Sequence, residues 1–126
     1  CTQADVDDLQ DLLSKMKRCE SDQSEWITVH RRFHERFCRI SAAPRLCEQI
    51  SALHSVVEPL MRIWLENNEP SPKLQEHHQQ LVASLQAGDP DRLEREVRAH
   101  VRGTVDSITQ AMRRHRPPQG KSRAKA

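Results

Sequence analysis

Apolar residues return at intervals of three and four along nearly the whole chain, and no stretch alternates apolar and polar residues at intervals of two. Val6, Leu9, Leu12, Leu13 and Met16 open the series, and Trp26, Phe33, Phe37 and Ile40 continue it. A period near 3.6 buries one stripe of a helix, whereas a half-buried strand needs a period of two. The fold is therefore expected to be all-α. Composition agrees where it matters for that argument: 3 Gly, no Tyr, and many Leu, Glu, Gln, Arg and Ala, residues that lose little freedom in a helix. With 126 residues, one domain with one core is expected.

Five segments carry the period. The first spans about Ala4 to Cys19, with Thr2 or Asp5 available as cap. The second follows "ESDQS", where Ser21 or Asp22 can cap, and places Trp26, His30, Phe33, His34, Phe37 and Ile40 on one stripe before ending near "SAAP". Pro44 suits the opening of a third helix, in which Leu46, Ile50, Leu53, Val57, Leu60 and Trp64 keep period to about Leu65. Pro59 lies inside it and predicts a kink rather than a break, because the period continues beyond it. "ENNEPSP" reads as a loop, with Ser71 as cap and Pro72 as first-turn proline of a fourth helix carrying Leu74, His77, Leu81 and Leu85 up to Gly88. Asp89 and Pro90 repeat that start for a fifth, with Leu93, Val97, His100, Val101, Val105, Ile108 and Met112 on one face. The architecture expected is an antiparallel bundle of about five helices over residues 1–112.

The last fourteen residues hold six of the twenty Lys and Arg and no acid, so residues 1–112 carry fourteen bases against eighteen acids, a net of −4. A mildly acidic body is a poor surface for gripping phosphates, and 113–126 reads as a basic, disordered tail. No apolar run approaches the 18 or so residues of a membrane span, and no basic-then-apolar segment stands at the start. A soluble, cytoplasmic protein with reduced thiols is expected, since Cys1, Cys19, Cys38 and Cys47 form no CxxC pair. A chain opening on Cys rather than Met is expected to be a fragment or a processed product.

The histidines are the chemistry. His30 and His34 stand four apart on one helical face, where Cβ atoms are about 6 Å apart and two imidazoles can reach one ion. His77 between Leu74 and Leu81, and His100 between Val97 and Ile108, send imidazole inward from two further helices. Facing helices of a bundle build metal sites in this way, and imidazole suits Zn, Ni, Cu or Fe. Leu74 and Leu81 flank both phases of the His77–His78 pair, and His78 is expected to be partly exposed. His54 and His115 read as ordinary boundary histidines. Cys38, four beyond His34, competes with His30 for the same ion, because 12 Å of helix separates His30 from Cys38 at 1.5 Å per residue; spacing leaves that choice open.

"WITVHRRFHERFCRISAAPRL" is similar to the second-helix signature of FCD domains, the effector-sensing C-terminal domains of GntR-type bacterial transcription regulators. That signature reads approximately W, three residues, D, two residues, F-H, then S-G-N. "EHHQQLVASLQAGDPDRLEREVRAHV" resembles their closing signature: E-H, two residues, an aliphatic, a small residue, G-D, and a final R-x-H-aliphatic. The two stretches cover 47 of 126 residues. The resemblance implies a divalent metal held inside the bundle and a small organic acid docking at or beside it. Carried over, it implies His34, His77 and His100 as ligands, with His30 in the aspartate position and Ala43 in that of the asparagine. Zn is the ion expected, with Ni or another transition metal as alternatives, because imidazole for carboxylate leaves the site one unit more positive. Arg62 is expected to clamp the effector carboxylate, as a guanidinium matches its geometry.

The resemblance further implies a winged helix-turn-helix and one more helix ahead of Ala4, neither in this sequence. DNA would be reached only through such an attached domain. Apolar surface left by a missing helix points to a homodimer. The rivals are a metal-dependent hydrolase-like enzyme and a purely structural, dimerising bundle. Against an enzyme, "HERFC" has Cys38 where the HExxH pattern needs its second histidine.

Overall fold

The computed structural model describes residues 1–66 and 72–114, which form α1 (Gln3–Arg18), α2 (Gln23–Arg39), α3 (Pro44–Leu65), α4 (Pro72–Ala87) and α5 (Pro90–Arg114). The starts are the ones the sequence signals. The Thr2 hydroxyl accepts from the Asp5 N–H while the Asp5 carboxylate accepts from the Thr2 N–H, a reciprocal capping box. The Asp22 side chain caps α2 at the Glu25 N–H, and the Asp89 side chain accepts from the Arg92 N–H at the start of α5. Helix α3 runs through Pro59 without a break. The cap expected at Ser71, and most of the expected loop and tail, lie outside the described residues.

Two turns need a left-handed residue. Gly88 follows α4 with φ of 65°, the conformation glycine adopts without steric penalty. Between α2 and α3, Ala42 takes φ of 53°. A Cβ there costs roughly 1–2 kcal/mol. The turn is held nonetheless: the Ser41 hydroxyl donates to the Cys38 carbonyl and accepts from the Ala43 N–H.

Packing makes a closed ring. Helix α1 lies on α2 and α4, α2 on α3, α3 on α5, and α5 on α4; among the described residues no other pair of helices brings its backbones together. The interior is filled by Leu9 and Met16 of α1, Trp26 and Phe33 of α2, Met61 and Leu65 of α3, and Leu81 of α4. Side chains also bridge helix to helix through backbone carbonyls: Gln23 Nε2 donates to Leu65 at 2.7 Å, and Gln75 Nε2 to Leu13 at 3.2 Å.

Helix α3 is rotated from its expected phase. Met61 and Leu65 are its buried residues, Ile50, His54, Val57, Leu60 and Trp64 are part-buried, and Leu46 and Leu53, expected inward, are exposed, Leu53 at 63% with Val56 near it at 69%. Apolar residues cover more than half of its circumference, so periodicity alone does not select the buried side. On α5 the inward line is Leu93, Val97, His100, Thr104 and Ile108, and Val101 and Val105, expected on that face, are about half exposed.

Candidate metal centre

Four imidazoles from three helices meet in the middle of the ring. His30 and His34 come from α2, His78 from α4 and His100 from α5, and one nitrogen of each lies within 4.8 Å of the others. His34 Nε2 is 3.2 Å from His30 Nε2 and 3.3 Å from His78 Nε2. Adjacent nitrogens around an ion with bonds of about 2.0–2.1 Å are separated by about 2.9–3.4 Å, from a right angle to a tetrahedral one. Both separations from His34 Nε2 therefore already stand at ligand spacing. Trp26 stacks on His30 at 4.8 Å between centroids, and Phe33 meets His34 and His78 edge-on at 5.4 and 5.1 Å, fixing the rings from the core side.

The cluster is held neutral. His30 is 7% exposed and pushed down to about 3, first by burial and then by His100 and His54. His100, 6% exposed, is pushed down to about 4 by burial and by His77 and His54. Burial likewise drives His78 well below the ordinary histidine range, helped by His30 and His100, although the Leu74 carbonyl one turn earlier opposes the shift. His34 follows the same course, with burial the largest cause and His30, His78, His100 and His54 around it adding to the shift. Neutral imidazole is the form that ligates. His100 Nδ1, moreover, is buried without a hydrogen-bond partner, an arrangement that costs about 1–3 kcal/mol when nothing satisfies it. The donor set and the geometry both fit a borderline transition-metal ion such as Zn or Ni.

His30, His34 and His100 stand where the sequence placed them; the third histidine does not. His78, 0% exposed, is the α4 member, while His77 is half-buried with its ring 6.5 Å from that of His100. Both phases fit between Leu74 and Leu81, so helical period could not choose. The closing signature divides: its E-H falls on Glu76 and His77, but its aliphatic, two residues further on, falls on Leu81 only when counted from His78. Cys38 is outside the cluster, near Cys47 at the α2–α3 corner, where burial and Cys47 push its thiol up.

A cavity of about 170 Å³ opens beside the cluster, with His30 in its wall. Met61, Trp64, Leu74 and Ile108 supply its apolar lining, and Lys73, His77, Thr104 and Ser107 its polar groups. Arg62, expected to face an effector, is not among them. It lies on the exposed side of α3, its guanidinium donating to Glu58 Oε1 one turn earlier at 3.0 Å. The rotation of α3 that brings Met61 inward turns Arg62 out. His115 lies outside the described residues. No described helix is long and apolar enough to cross a membrane.

The model of one family, the FCD domain, matches residues 1–103, which take in all four clustered histidines. No curated protein and no solved structure matches the chain. The chain belongs to the FCD domain family, the effector-sensing domains of GntR-type transcription regulators.

Proposed function

We propose that this domain holds a divalent transition-metal ion on His30, His34, His78 and His100 and uses it to sense a small carboxylate, passing the event to an attached DNA-binding domain. The observation that carries the reading is the convergence of four neutral imidazole nitrogens within 4.8 Å. A bound ion supplies a fixed positive charge that attracts an anion. The chain supplies the rest. The adjoining cavity admits an acid of roughly eight non-hydrogen atoms at interior packing density, its apolar body against Trp64, Met61 and Ile108. Lys73 and His77 offer donors to its polar end, while the hydroxyls of Thr104 and Ser107, which donate to the His100 and Gly103 carbonyls, present acceptors. Coupling follows if the acid fits one arrangement of α2, α4 and α5 better than another.

A homodimer belongs to the same proposal. Leu53, Val56, Val101 and Val105 leave apolar surface on the exteriors of α3 and α5, which pack against each other, and such surface in a small domain marks an association face.

Metal uptake decides the matter. Chelator-stripped, tag-free protein titrated with Zn or Ni at pH 7.5 is expected to bind one equivalent. His78→Ala lowers affinity by about 100-fold or more, since even partners behind the ligands contribute 10- to 100-fold, and His77→Ala leaves metal affinity within a few fold. Protein that binds neither ion, or loses it through His77 rather than His78, refutes the assignment.

A further inference from the structure

A fifth imidazole stands against the same cluster. His54 is part-buried on α3, which, like α1, sends no member into the four-histidine group. Its ring meets that of His34 edge-on with centroids 5.1 Å apart. Its Nδ1 is buried and has no hydrogen-bond partner. His30, His34 and His100 lie near enough that a proton on His54 would disfavour one on them. The charged groups facing it are Arg31, Glu35 and Glu58, and these are engaged with one another: the Arg31 guanidinium donates to Glu35 at 3.1 Å, Glu58 at 3.4 Å and the Ser55 hydroxyl at 3.2 Å.

A helix that brings an imidazole into the interior and leaves its ring nitrogen unsatisfied bears the penalty of an unmade hydrogen bond. Ring contact with His34 puts this imidazole beside a group of ligand-grade nitrogens. His54 is not one of the 4.8 Å group, and its two side-chain torsions are the freedom through which it joins them. Resting on the metal reading above, we propose that His54 is a fifth ligand of the centre, so that helices α2, α3, α4 and α5 all bind the ion and five imidazoles surround it. Such a sphere suits ions that accept five or six ligands, Co(II) and Ni(II), over a strictly tetrahedral one, and it leaves a six-coordinate ion one position for an effector carboxylate.

X-ray absorption of the cobalt-loaded protein tests this, because scattering from the outer ring carbons counts imidazoles whether or not water also binds. The wild type is expected to fit five rings, and His54→Ala four, with cobalt affinity lowered about tenfold or more. His54→Gln serves as a second variant that keeps a polar side chain in place, and far-ultraviolet circular dichroism confirms that both variants are folded. Four rings in the wild type, unchanged in the variants, overturn the inference and leave the four-histidine centre standing. Wild-type protein that takes up no cobalt overturns both, and stoichiometry separates that outcome from the ring count.

Discussion

Acid should unfold the metal-free domain well above the range where carboxylates titrate. His30 and His100, held near 3 and 4 in the folded chain against 6.5 when free, are proton-poor when folded and proton-rich when unfolded. The sign follows directly: the unfolded state gains protons as pH drops through 6.5, so stability present above that value is lost on the way down, and the loss levels off only below the folded values. Between pH 8 and pH 5 each group contributes about 2 kcal/mol of loss, about 4 kcal/mol together, from 1.36 kcal/mol per unit over the 1.5 units below 6.5. His34 and His78 shift in the same direction and add to it. Against a total of about 5–15 kcal/mol for a domain, this is a large share. In urea, with a slope of about 1.5–2 kcal/mol/M, the midpoint falls by roughly 2–3 M. The measurement is urea unfolding of chelator-treated protein, followed by circular dichroism at several pH values from 8 to 5. Asp5, held at about 2 by the Thr2 N–H and Arg36, acts only at lower pH and does not confuse the window. A midpoint that stays flat from pH 8 to 5 would mean that these rings are neither buried nor neutral, and the centre as described would not exist. Added zinc should raise stability by about 2.7 kcal/mol at a free concentration 100 times its dissociation constant, at pH 5 as at pH 8, because the folded rings of His30 and His100 are neutral at both.

Three further outcomes are expected. Ala42→Gly relieves the left-handed strain between α2 and α3; set against the greater freedom of glycine in the unfolded chain, it stabilises by about 0.5–1 kcal/mol, and a lowered melting temperature refutes that account of the turn. Lys73→Ala, at the cavity mouth and away from the clustered nitrogens, weakens thermal-shift responses to small carboxylates by about tenfold in concentration while metal uptake is unchanged; equal loss of both would tie Lys73 to folding instead. Leu53→Asp combined with Val101→Asp, both exposed, gives a monomer by light scattering where the unaltered chain gives a dimer, with stability within about 0.5 kcal/mol; identical masses for the two proteins would show that this face has no partner copy.

Helix existence and limits were the most legible features because they rest on local signals. Thr2, Asp22, Pro44, Gly88 and Pro90 mark ends through caps, fixed φ or positive φ, and each acts within a few residues. Which side of a helix faces the core is a tertiary matter. On α2 and α5 a single apolar line with embedded histidines decided it, and His30, His34 and His100 were found. On α4 the Leu74–Leu81 spacing accommodates either of two adjacent rings, so His77 stood in for His78. On α3 the broad apolar girth hid the true phase, and with it the inward place of His54 and the outward turn of Arg62. Periodicity reports neighbours on one rod; it carries nothing about how the next rod lies against it.

The ring of helices has one more consequence. The backbones of α2 and α4 stay apart, as do those of α2 and α5, yet the imidazoles of His30 and His100, 70 positions apart, meet at its centre. The imidazoles thus work as the hub of a wheel whose spokes otherwise know only the spokes beside them. A pull of a few tenths of an ångström at that hub is delivered to opposite parts of the rim together, without first being handed from one rod to the next.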